Sequence, residues 1–203
     1  MGKVVAFTSV TLDGVMQAPG RPDEDPRDGF QHGGWGVPYA DADQGRIATE
    51  GMASTGGILL GRRTYEDFYG YWPKQTDGNP FTEVLDNTRK YVASTTLTEP
   101  LPWRNSTLLE GDAADAVAGL KQRLDYDLVV LGSGALVQSL RRAGLVDEYV
   151  LLIHPLVLGS GRRLFPDGGT VAALQLIDSR TTSTGVLVAT YRPAGPTAGG
   201  STR

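Results

Sequence analysis

Cysteine is absent from the 203-residue chain, and histidine is nearly so, with only His32 and His154. The first absence excludes disulfides, a thiolate nucleophile and cysteine-ligated zinc. The second argues against a His-rich metal centre or a His-dependent catalytic triad. No apolar run reaches the roughly 18 residues a membrane-spanning helix needs, and no charged-then-apolar leader opens the chain. The sequence therefore reads as a soluble, cytoplasmic protein with no membrane partner. An excess of positive charge is also missing: the formal net charge is −4, which leaves no electrostatic footprint for nucleic acid. Neither the G-x-x-x-x-G-K-[ST] phosphate loop nor the G-x-S-x-G hydrolase elbow occurs.

Glycine is abundant instead, with 27 residues beside 12 prolines. The glycines follow no period and gather at the ends of apolar runs, where a backbone turns tightly or approaches a ligand. Lys3 to Val10 reads as a buried strand, closed by the turn residues Thr11-Leu12-Asp13-Gly14. Gln17 to Pro38 lacks periodicity and carries four Pro, five Gly and the acidic run Asp23-Glu24-Asp25. A stretch of that length predicts a working loop folded over a site. Asp41 or Asp43 caps a helix running to about residue 54. Strands follow at Gly57–Gly61, Lys90–Ser94, Ser106–Leu109 and Asp127–Leu131. Short helices open at Arg62, after Asp112 and after Gly132-Ser133-Gly134. From Glu148 onward only strands remain: Glu148–Val157, Leu174–Asp178 and Gly185–Arg192. Alternating strands and helices imply parallel pairing with helices on both faces, and the strand-only end adds antiparallel edge strands. Residues 1–192 read as one domain, and 193–203 as a disordered tail without core-forming residues.

Three strand ends carry small, hydroxylic or basic residues where more core would be expected: Gly61-Arg62-Arg63-Thr64, Ser94-Thr95-Thr96 and Gly132-Ser133-Gly134-Ala135. Strand C-termini of a parallel sheet share one edge, and ligands sit in the crevice there. Two of the three also open helices, whose free N–H groups and dipole favour phosphate. Each has an ordinary structural reading by itself, as a glycine turn, a solvated helix start or a polar loop. Their conjunction points to a phosphorylated nucleotide or dinucleotide. A second Gly159-Ser160-Gly161 precedes Arg162-Arg163 with no helix behind it and reads as a turn, with a position facing the ligand as the alternative. Trp35 and Tyr39 either stack on a heterocycle or anchor the loop, and Trp72 and Trp103 are assigned to packing. His154 reads as a satisfied core histidine and His32 as exposed.

In this order, Ser9-Val10-Thr11-Leu12-Asp13-Gly14, Leu59-Leu60-Gly61-Arg62-Arg63-Thr64-Tyr65-Glu66, Val130-Leu131-Gly132-Ser133-Gly134 and Pro155-Leu156-Val157-Leu158-Gly159 make a chain that resembles the dihydrofolate reductase-like superfamily. The likeness is greatest to the branch of the C-terminal reductase domain of the bifunctional riboflavin-biosynthesis deaminase/reductase, and it covers roughly residues 3 to 192. The resemblance implies an α/β fold with a twisted mixed sheet, mostly parallel with antiparallel C-terminal edge strands, and helices on both faces. It implies NADPH-dependent hydride transfer to a pterin- or ribosylaminopyrimidine-like heterocycle. By that likeness Arg62, Arg63 and Thr64 meet the pyrophosphate and 2′-phosphate, with Gly61 leading into them. Ser94 and Thr95 bond the 2′-phosphate; Gly132, Ser133, Gly134 and Ala135 let the backbone approach the pyrophosphate and nicotinamide ribose. Thr8 and Ser9 lie along the nicotinamide.

Asp43 and Asp13 are the candidate catalytic residues. Asp43 lies near the acid that dihydrofolate reductases carry on the first helix, with Asp41 a second possibility and a plain helix cap the alternative for Asp43. Asp13-Gly14 starts the loop over the nicotinamide. No metal is expected. The rival readings are a stand-alone riboflavin-pathway reductase, and a protein that binds NADPH or another nucleotide without turnover. The apolar run Val150 to Val157 makes a homodimer an expectation.

Overall fold

The computed structural model describes residues 2–53, 55–76 and 78–195. Eight strands form one sheet: β1 (Val4–Thr11), β2 (Gly57–Gly61), β3 (Arg89–Ala93), β4 (Ser106–Leu109), β5 (Leu128–Leu131), β6 (Glu148–His154), β7 (Leu174–Thr181) and β8 (Leu187–Pro193). Their spatial order is β4-β3-β2-β5-β1-β6-β8-β7. The first six pair in parallel, while β8 runs antiparallel to both β6 and β7. Five helices accompany them: α1 (Ala42–Ala53), α2 (Arg62–Tyr71), α3 (Pro80–Asn87), α4 (Ala113–Arg123) and α5 (Gly134–Arg142). This is the mixed sheet that alternation followed by strand-only sequence implies. No helix among the described residues is long and apolar enough to cross a membrane.

The central strands are apolar on both faces because both are covered. Ile58, Leu59 and Leu60 of β2 are completely buried. Leu59 joins Val4, Val130 and Leu140 in one core layer, and Leu60 joins Tyr65, Leu85 and Trp103 in the other. Burying each such leucine contributes roughly 1.5–3 kcal/mol. Register then aligns the strand ends that matter: Phe7 of β1 lies beside Leu131 of β5, and Gly61 of β2 beside Ala93 of β3. The residues immediately following these positions meet at one edge.

Helix α3 is the element the sequence reading lacked. Asn79 caps it, its side chain accepting the Phe81 N–H at 3.0 Å, and Pro80 occupies the first helical position. The buried Lys90 closes its other end, Nζ donating to the carbonyls of Leu85 (2.7 Å), Thr88 (2.9 Å) and Asp86 (3.3 Å). Strand β6 ends at His154 because Pro155 has no N–H to offer the ladder. β6 lies between β1 and β8, so Val150 to His154 pack within the monomer's sheet, while Val157 at the end of the same run is exposed. Edge strand β7 also exposes apolar surface, at Leu176 and Ile177. Of the tail expected at 193–203, Pro193 closes β8 and Ala194 donates its N–H to the Ala173 carbonyl at 2.9 Å, whereas 196–203 lie outside the described residues.

The segment 17–38 is folded, held by short 3₁₀ turns at Arg27–Gly29 and Val37–Tyr39. Ala18, Phe30 and Trp35 bury themselves with Val15 in a small core of their own, packed on Leu156 and Leu158. The Gln17 amide reaches the carbonyls of Asp25 and Arg27, both at 3.0 Å. That packing makes it a compact Ω-type loop.

Candidate functional site

A cleft of about 1250 Å³ opens at the C-terminal edge of the parallel strands. Thr8 and Ser9, Gly61 through Thr64, Ser94 and Thr95, and Gly132 through Ala135 all line it. The loop contributes Met16 through Arg21, together with Glu24, Asp25 and Arg27. Thus the three strand ends and the folded loop enclose one space.

Its floor is a knot of short polar residues. After β5 the chain turns through Gly132 and Ser133 at φ +55° and +52°, consecutive left-handed conformations. Gly132 fits because it has no Cβ, which would stand 3.1 Å from Thr64 Cγ2. Ser133 accepts the strain, and its hydroxyl gains two partners. Oγ accepts the Gly61 N–H at 2.8 Å and donates to Thr64 Oγ1 at 2.9 Å, while the Ser133 N–H donates to the same Thr64 oxygen at 3.2 Å. A Cβ on Gly134 would stand 2.5 Å from Met16 Sδ, so the loop lies directly on the glycine turn.

Ser133 is therefore unable to cap α5, and α2 has no side-chain cap either. By contrast, α3 and α4 are capped by Asn79 and Asp112. The first turns of α2 and α5 both line the cleft, leaving backbone N–H groups and the positive dipole ends available to an anion. Arg62 is tied to Glu66 at 2.9 Å, whereas Arg63 is exposed and has no partner among the described residues. Ser94 Oγ accepts the N–H groups of Thr96 (3.1 Å) and Leu97 (3.0 Å), which shapes its turn, and lies 3.4 Å from Thr96 Oγ1, where either hydroxyl can donate. Thr8 Oγ1, on a residue only 4 % exposed, has no hydrogen-bond partner among the described residues. These features fit a phosphate-bearing dinucleotide: open helix ends and a free arginine for phosphate, and an unsatisfied hydroxyl further along.

The expected carboxylates are not brought to this cleft. Asp13 closes the turn beneath it, accepting from Thr11 Oγ1 (2.6 Å), Gly159 N (2.8 Å) and Leu158 N (3.2 Å). The Thr11 bond foremost, helped by the two backbone N–H groups, holds its carboxyl below the usual range, which suits an anion anchor and opposes a proton donor. Asp43 sits half-exposed on the first turn of α1, 3.4 Å from Arg46. Asp41 is the residue that caps α1, accepting the Gln44 N–H at 2.9 Å, and its other oxygen takes Ser183 Oγ at 2.7 Å in the β7–β8 turn. Those bonds, Gln44 first, also depress its pKa.

Trp35 anchors the loop, its indole donating to the Gln17 carbonyl at 2.6 Å, and with Tyr39 it packs edge-on against His154. His154 is buried, with Nδ1 3.0 Å from the Leu152 carbonyl, and His32 is exposed. Trp103 is core, and Trp72 packs against the same core layer while also lining the cleft. Arg21 and Asp67, which the sequence does not single out, also line the cleft, as do Arg162 and Arg163 after the Gly159-Ser160-Gly161 turn. The paired arginines after Gly161 were the available signal. Arg162 donates its N–H to Gln17 Oε1 at 2.9 Å and Arg163 Nε donates to the Asp13 carbonyl at 2.9 Å, so both are carried to the cleft by the loop's own bonds.

The sheet order, the glycine turn and the edge cleft define a dihydrofolate reductase-like fold. Two solved structures agree: dihydrofolate reductase from Enterococcus faecalis complexed with NADP(H), at TM-score 0.60, 12% identity and coverage of 95% of this chain and 96% of that one; and a pyrimidine reductase-like protein from Corynebacterium diphtheriae, at TM-score 0.66, 13% identity and coverage of 95% and 92%. The RibD C-terminal domain model matches residues 2–188, and the chain belongs to that family. The uncharacterized protein YyaP of Bacillus subtilis (strain 168) is 31% identical over 193 residues, 93% of this chain and 94% of that protein.

Proposed function

We propose that this chain is an NADPH-dependent reductase that transfers hydride to a C=N or C=O bond of a small heterocycle, of the kind a riboflavin-pathway reductase handles. Family membership supports the reductase class. The observation that carries the cofactor is the pair of uncapped helix N-termini converging on one cleft beside the free Arg63. In this reading the N-terminal amides of α2 and α5 hold the pyrophosphate. Arg63, Ser94 and Thr95 take the 2′-phosphate. Thr64, which already accepts two hydrogen bonds from Ser133, has its own O–H left to donate. Thr8 Oγ1 gains the partner it lacks. Bound there, the cofactor supplies the hydride, and a proton added at nitrogen or oxygen completes the reduction. The loop from Met16 onward covers the glycine turn and keeps water out of the reacting space.

The test is a titration with NADPH and NADH, followed by quenching of tryptophan fluorescence. NADPH-selective binding, with oxidation of the cofactor when pterins or ribosylaminopyrimidines are added, is the expected result. Binding of neither cofactor overturns the reading. One observation favours a second reading: Asp41 and Asp43 both find their partners away from the cleft, as in a nucleotide-binding protein without folate-type turnover. Tight NADPH binding with no oxidation by any acceptor would select it.

A further inference from the structure

Five buried side-chain polar atoms lack a hydrogen-bond partner among the described residues, and three of them belong to residues on the cleft wall: Thr8 Oγ1, Asp67 Oδ2 and Trp72 Nε1. Buried polar groups are normally satisfied, so a cluster of exceptions on one cavity wall calls for a ligand. Thr8 is accounted for above, on the strand carrying the glycine-turn neighbour. Asp67 lies in the middle of α2 and Trp72 just past its end, and both line the cleft away from the first turn that carries Arg62 and Arg63.

Their surroundings differ from the phosphate end. Trp72 packs edge-on against Phe81 and Phe68, at 5.1 and 6.3 Å, and all three join Phe7 on the core layer beneath. Phe7, Phe81 and Leu131 also line a second cavity of about 230 Å³ beside α1, on the other side of the same aromatic layer. Asp67 is the one carboxylate in this wall fastened by the loop. Arg21 donates to its Oδ1 while stacking on Tyr71, 4.3 Å from the ring centre. That bond fixes the carboxylate's orientation and leaves Oδ2 over. Burial raises its pKa, with the nearby carboxylates of Asp23 and Asp25 adding to the rise and Arg21 opposing it.

We propose that Asp67 and Trp72 recognise the polar edge of the hydride acceptor, Asp67 Oδ2 accepting a ring N–H and Trp72 Nε1 donating to the neighbouring carbonyl or ring nitrogen of a planar cyclic amide or imide. The proposal rests on the reductase reading of the cleft. It makes Asp67 a substrate-binding residue, in place of the carboxylates that the first helix does not deliver. The Phe7, Phe68 and Phe81 wall supplies the flat apolar surface such a ring requires.

The experiment uses the full chain and two probes, lumazine and 1,3-dimethyllumazine, the second with both ring N–H groups blocked. Binding is followed by fluorescence. Lumazine should bind about ten- to hundredfold more tightly than its dimethyl derivative, the range of a hydrogen bond to a charged group. D67N should lose a similar factor for lumazine, because with Arg21 on one side the amide presents an N–H₂ where an acceptor is needed. W72F should weaken lumazine too, and both variants should bind NADPH as the wild type does and keep its melting temperature. Equal binding of the two probes, no lumazine binding by the wild type, or unchanged lumazine binding by D67N overturns the proposal. If NADPH fails to bind while the probe discrimination and the D67N loss hold, the reductase reading falls and the recognition pair stands.

Discussion

Ser133 Oγ accepts the backbone N–H of Gly61 at 2.8 Å, joining the ends of two neighbouring parallel strands 72 positions apart in the chain. The bond explains why a non-glycine residue occupies a left-handed conformation at φ +52°. It also explains why α5 begins without a side-chain cap. Replacing Ser133 with Ala keeps the strain and removes the acceptor, leaving the Gly61 N–H and Thr64 Oγ1 short of partners. A stability loss of about 1–3 kcal/mol is expected, read as a lower melting temperature, with weaker NADPH binding. A variant as stable as the wild type would show that the knot adds nothing to the fold.

Arg62 and Arg63 should no longer be equivalent. Arg62 is held by Glu66 at 2.9 Å, while Arg63 is unengaged. Arg63→Ala is expected to weaken NADPH by about 1.5–3 kcal/mol and NADH far less, the signature of a lost charge-assisted contact to the 2′-phosphate. Arg62→Ala should have the smaller effect. Equal losses for both cofactors would place the 2′-phosphate elsewhere.

Asp43→Asn tests the acid expected from the first helix. With its carboxylate 3.4 Å from Arg46 and away from the cleft, the substitution should leave turnover and cofactor affinity unchanged. A steady-state assay that finds turnover suppressed and affinity intact would return Asp43 to catalysis.

His154 gives the fold an acid-sensitive point. Burial between Trp35 and Tyr39 lowers its pKa below the ordinary 6.5, so the unfolded chain binds the proton first as pH falls. Stability is full above pH 6.5 and declines below it, down through the folded value. The bonded carboxylates of Asp13 and Asp41 lose their contribution only at lower pH, below their ordinary 3.8. Melting temperature should therefore begin to drop as pH falls through the 6.5 region, and His154→Asn should flatten that part of the profile. A flat wild-type profile there would contradict the assignment.

Strand β7 should carry the homodimer, if the chain forms one. Every residue of β7 is exposed, its outer edge is unpaired, and Leu176 and Ile177 face solvent. A second copy added antiparallel about Ser179 sets Asp178 of each strand opposite Arg180 of the other, a self-complementary charge pair. Sedimentation should find a dimer that Ile177→Lys converts to monomer. A monomeric wild type would leave β7 a solvated edge.

Local chemistry settled much of this protein before any coordinates. Apolar runs mark the central strands β1, β2 and β5, because a strand covered on both faces has to be apolar throughout. The three polar strand ends were legible for the same reason: a parallel sheet puts its C-termini on one edge whatever the details. Helix α3 was missed although Asn79-Pro80 marks its start, since eight residues with one fully buried leucine carry too little periodicity. What only the tertiary structure decided is where individual side chains end up. Asp13, Asp41 and Asp43 look alike in sequence, yet Asp13 is claimed by the backbone at Leu158 and Gly159, Asp41 by Ser183, and Asp43 only by Arg46 on its own helix, while Arg21 of the 17–38 loop reaches Asp67 on α2. The long-range pairings depend on contacts between residues tens of positions apart, which spacing along the chain does not encode.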